Sequence, residues 1–84
     1  MMMKPWNLKT QVVLVMVTNA GFTTTTNPLS VSDAIRRAAE ECEKAAGNDE
    51  TRHLAKILFC YGKFVNEYKV QEIYRMAREL SETV

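Results

Sequence analysis

Neither sign of charge is in excess in this chain of 84 residues: eleven Lys and Arg stand against ten Asp and Glu, a formal net charge of +1. A near-neutral domain is not a general polyanion binder, although a local basic patch is not excluded. Cysteine is scarce. Cys42 and Cys60 are too few for a disulfide-rich secreted scaffold. Long apolar runs are missing as well. Val12-Val13-Leu14-Val15-Met16-Val17 falls far short of the roughly 20 apolar residues that a membrane-spanning helix needs. Glycine is sparse where a phosphate loop would need it: after Ala20-Gly21-Phe22 there is no second or third glycine and no Gly-Lys-Ser/Thr.

Catalytic residue types are thin. His53 is the single histidine, and no serine or cysteine lies at a motif spacing from it; it reads as a surface residue near the start of a helix. The carboxylates are interleaved with Lys and Arg and read as solvated ion-pair surface. A metal site would have to use Cys42, His53 and Cys60, which lacks a fourth ligand and a Cys-x-x-Cys pair, so core packing of the cysteines is the better reading. Neither cofactor nor metal nor small-molecule substrate is indicated.

What the chain does have is apolar residues, 46% of the total, ample for one small core but not for two domains. The architecture is read around Leu54-Ala55-Lys56-Ile57-Leu58-Phe59-Cys60-Tyr61, with one charge in eight residues. Wound as a helix, its stripe of Leu54, Ile57, Leu58 and Tyr61 is widened by Ala55, Phe59 and Cys60, which predicts a central buried helix.

The rest is arranged about that element. Met1 to Leu8 reads as an irregular lead-in. Val12 to Val17 is mostly β-branched, and its lack of alternation predicts a strand buried on both faces. Asn19-Ala20-Gly21 can turn the chain into Phe22 to Thr26, giving a hairpin; a second protomer's strand and a polar threonine loop are the competing readings. Lys4 and Lys9 ahead of the apolar run, with Ala20 behind it, also allow a signal peptide over residues 1–20.

After Asn27-Pro28, Ser30 caps a first helix with Asp33 three residues on. The stripe is Val31, Ala34, Ile35, Ala38, Cys42 and Ala45, and the wet face pairs Arg36 with Glu40 and Arg37 with Glu41. Gly47 ends it, and Asn48 or Asp49 caps a second helix running to Tyr61, antiparallel to the first. A third helix has the stripe Val70, Ile73, Tyr74, Ala77 and Leu80. If the second and third were one rod, the two stripes would disagree by roughly 160° and Glu72 would be buried. The chain must therefore bend between Gly62 and Tyr68, with Asn66 capping the third helix.

The expectation is one domain over residues 1–84: a strand or hairpin with a Thr-rich loop over 1–27, packed on three helices over 28–84. The fold class is α+β, with an all-α three-helix bundle as the alternative. Function is read as a non-enzymatic protein-interaction or regulatory module, homodimeric, its partner a protein or itself, in the cytoplasm. The first alternative is a small DNA-binding regulator. The last two helices would form a helix-turn-helix-like pair, with Gln71, Arg75 and Arg78 on one face of the third and Lys63 and Lys69 flanking the turn. Glu72, Glu79 and Glu82 share that surface and oppose phosphate. A ribbon-helix-helix reader is unsuited, since Val12 to Val17 presents no polar side chain. The second alternative is an exported protein stapled by a Cys42–Cys60 disulfide.

Overall fold

The computed structural model describes residues 7–47 and 49–82. The lead-in before Asn7, the state of Trp6 and the proposed capping role of Asn48 lie outside the described residues. The fold is α+β, a five-stranded antiparallel sheet with two helices, and not a strand laid on a three-helix unit. The elements are β1 (Gln11–Thr18), β2 (Thr23–Thr25), β3 (Leu29–Ser30), α1 (Val31–Ala46), a 3-10 turn (Glu50–Arg52), β4 (Leu54–Tyr61), β5 (Phe64–Tyr68) and α2 (Val70–Glu82). The sheet order is β2-β1-β4-β5, with β3 on the same side of β1 as β2 but at its other end.

The largest correction concerns Leu54–Tyr61, which is a strand and not a helix. It remains the centre of the molecule, because β4 lies between β1 and β5 and pairs with both. The second helix and the antiparallel helix pair built on it are absent, and the all-α alternative falls with them. The physical reason is the turn that follows. Gly62 has φ +58, Lys63 has no positive φ, and Tyr61 pairs with Phe64, the pattern of a two-residue hairpin with glycine first. The expected bend near residue 62 is thus a β-turn, and Asn66 sits within β5 rather than capping a helix. Glu72 stays exposed, its carboxylate accepting a hydrogen bond of 2.7 Å from the Lys69 backbone N–H at the mouth of α2.

The first hairpin forms where the turn residues ask for it. Thr18 and Phe22 close a loop in which Gly21, at φ +90, donates its N–H to the Thr18 carbonyl, and β2 then pairs Thr23 and Thr25 with Val17 and Val15. Between β2 and β3 the ladder is maintained by Thr26, whose N–H donates to the Leu14 carbonyl while its Oγ1 accepts from Leu14 N–H.

α1 begins at the Ser30 cap, whose Oγ accepts from Asp33 N–H, and ends at Gly47. The first free amides of the helix, on Val31 and Ser32, donate back to the Thr10 and Leu8 carbonyls. Arg37 pairs with Glu41 as the spacing predicts, but Arg36 turns to Asp33 and Glu40 pairs with Lys44.

Both helices contribute to one core. Val12, Leu14 and Met16 of β1 and Ile57 and Phe59 of β4 meet Val31, Ala34, Ile35, Ala38 and Cys42 of α1 and Ile73 and Leu80 of α2. The small side chains along α1 let its backbone come close. Phe59 stacks edge-on against Tyr68 with ring centroids 5.0 Å apart. Since β1 supplies three of these core side chains, a cut near Ala20 would remove a central strand of this sheet.

Candidate functional site

Strand alternation decides which side chains the helices leave uncovered. Along β1, Val12, Leu14 and Met16 are buried while Val13, Val15 and Val17 are only half-buried, and along β4 Ile57 and Phe59 are buried while Leu58 and Cys60 are half-buried. β1 is therefore covered on one face, not on both as its composition suggests. The ladders stack the uncovered residues into rows: Val13, Cys60 and Val65 in one; Thr25, Val15, Leu58 and Glu67 in the next; Thr23, Val17 and Lys56 in the third. Val13, Val15, Val17, Leu58, Cys60 and Val65 form one contiguous apolar field, with Val65 59% exposed. Threonine bounds it on the β2 side, Lys56 at one end and Glu67 on the β5 side. None of these six side chains belongs to the core cluster or to the side chains packed against it.

The same alternation rules out the disulfide. Cys42 is in the core on the helix side of the sheet, Cys60 follows Phe59 and so points to the other side, and both are free. Burial, with Glu41 and Glu43 nearby, pushes the Cys42 thiol up to about 11, so it is a protonated packing group at neutral pH. Neither thiol hydrogen-bonds a histidine. His53 does not open a helix: it follows the 3-10 turn, it is half-buried, and its Nε2 is buried with no hydrogen-bond partner among the described residues. Asp49 caps that turn, accepting from Thr51 N–H and from the Thr51 hydroxyl, which holds its carboxyl below the usual range. Among the described residues no group of three His, Cys, Asp or Glu is placed to hold a metal ion.

The nucleic-acid candidates do not converge. Lys63 is in the β4–β5 turn, whereas Lys69 lies beyond the far end of β5, about 20 Å away along an extended strand. Gln71, Arg75 and Arg78 are exposed on α2 and share a face at i, i+4 and i+7, but Glu72, Glu79 and Glu82 are exposed on the same short helix. The element before α2 is a strand, so the helix-turn-helix geometry that motivated the reading is absent. Nor do Arg75–Glu79 and Arg78–Glu82 ion pairs form among the described residues.

An open groove of about 670 Å³ runs between the β1–β2 hairpin and the C-terminal half of α1. Glu41 pairs with Arg37 and Lys44 there and Asp49 accepts from Thr51, while Arg52 also lines the groove. No histidine or thiol lines it. The sheet face is the most extended feature that the core packing leaves unused. Sequence reasoning missed it, because it needs the strand assignment of residues 54–61. The available signal was two β-prone runs, Ile57–Tyr61 and Phe64–Tyr68, separated by Gly62-Lys63.

No helix among the described residues is long and apolar enough to cross a membrane. The chain matches no protein-family model, and no curated protein and no solved structure is significantly similar to it.

Proposed function

We propose that this chain is a non-enzymatic protein-interaction module whose working surface is the uncovered face of its sheet. One observation carries the reading: six apolar side chains from β1, β4 and β5 form a continuous field opposite the helix layer. The largest contiguous apolar patch on a domain is often a functional surface. Its chemistry, aliphatic in the middle with threonine and one charge of each sign around it, suits a protein surface better than a nucleic acid or a small polar substrate.

Substitution on the face tests this. Val15→Glu and Leu58→Glu should keep the melting temperature within a few degrees of the parent, because those side chains are not sealed in the core. Both should also abolish binding of a hydrophobic fluorescent dye that the parent binds in dilute solution. A large fall in the melting temperature of both variants, or a parent that binds no dye, would show the face to be covered from within the chain and would end the reading.

A further inference from the structure

We draw no further inference here: the strongest candidate, the apolar sheet face of Val13, Val15, Val17, Leu58, Cys60 and Val65, belongs to the surface already proposed, and nothing in the structure shows what covers it.

Discussion

Phe59 shows what a single residue does here. It is 1% exposed, packs edge-on to Tyr68, and belongs to the strand that both neighbours depend on. Phe59→Ala should cost about 3–5 kcal/mol in denaturant unfolding, through lost burial and the cavity left behind. Its neighbour Cys60, one residue on and on the opposite face, should tolerate serine with little loss. The two thiols should separate in alkylation of dilute protein at pH 8, with Cys60 reacting first and Cys42 only on unfolding. Cys42 also gives stability a sign at high pH. Its proton is held up to about 11 in the folded state against 9.0 when free, so the unfolded chain releases that proton first. The Cys42 contribution should therefore be level below pH 9 and fall between pH 9 and 11; Tyr68, also raised by burial, acts in the same direction. Thermal melts of the parent and Cys42→Ala across that range check it, since the variant should show a shallower fall.

At the scale of elements, caps and turns carry much of the specification. Ser30 satisfies one of the first free amides of α1, and Ser30→Ala should cost about 1 kcal/mol. Gly62 has open space where a Cβ would go, so substitution there meets no neighbour and exposes the backbone alone. Gly62→Val should cost about 1–2 kcal/mol because of the left-handed φ, while Gly62→Asn should cost clearly less; urea melts of the pair separate the two. These features were legible from residue order: the Ser30 cap, the α1 stripe, the Asn19-Ala20-Gly21 turn and the need for a bend after Tyr61 are all present. Residues 54–61 were misread. A run of eight with one charge satisfies a helical stripe and a strand equally well, and its period cannot choose between them. The choice is made by the partners on either side, β1 and β5, which offer ladders to a strand and would be stranded beside a helix.

For the molecule as a whole, the consequence of that choice is a two-layer body with one layer of helices and one bare sheet face. Three helices would have wrapped the apolar residues completely, and the candidate surface would not exist. The nucleic-acid alternative depends on the same point, since α2 is preceded by β5 and carries Glu72, Glu79 and Glu82 beside its two arginines. Titration of random duplex at low salt should accordingly show no salt-dependent binding, and Arg75→Ala with Arg78→Ala should leave that result unchanged.

Residue order alone determined the near-neutral charge, the position and polarity of α1, and the places where the chain turns, but not the fold, since the expected strand on three helices is a five-stranded sheet with two. Those depend on interactions within a few residues: caps, stripes and glycine-led turns. Only the tertiary structure decided that Leu54–Tyr61 is a strand, that Cys42 and Cys60 lie on opposite sides of the sheet, and that Val13, Val15, Val17, Leu58, Cys60 and Val65 share one uncovered face. Each of those depends on hydrogen-bonded partners far away along the chain, and an apolar run records that it must be buried without recording against what.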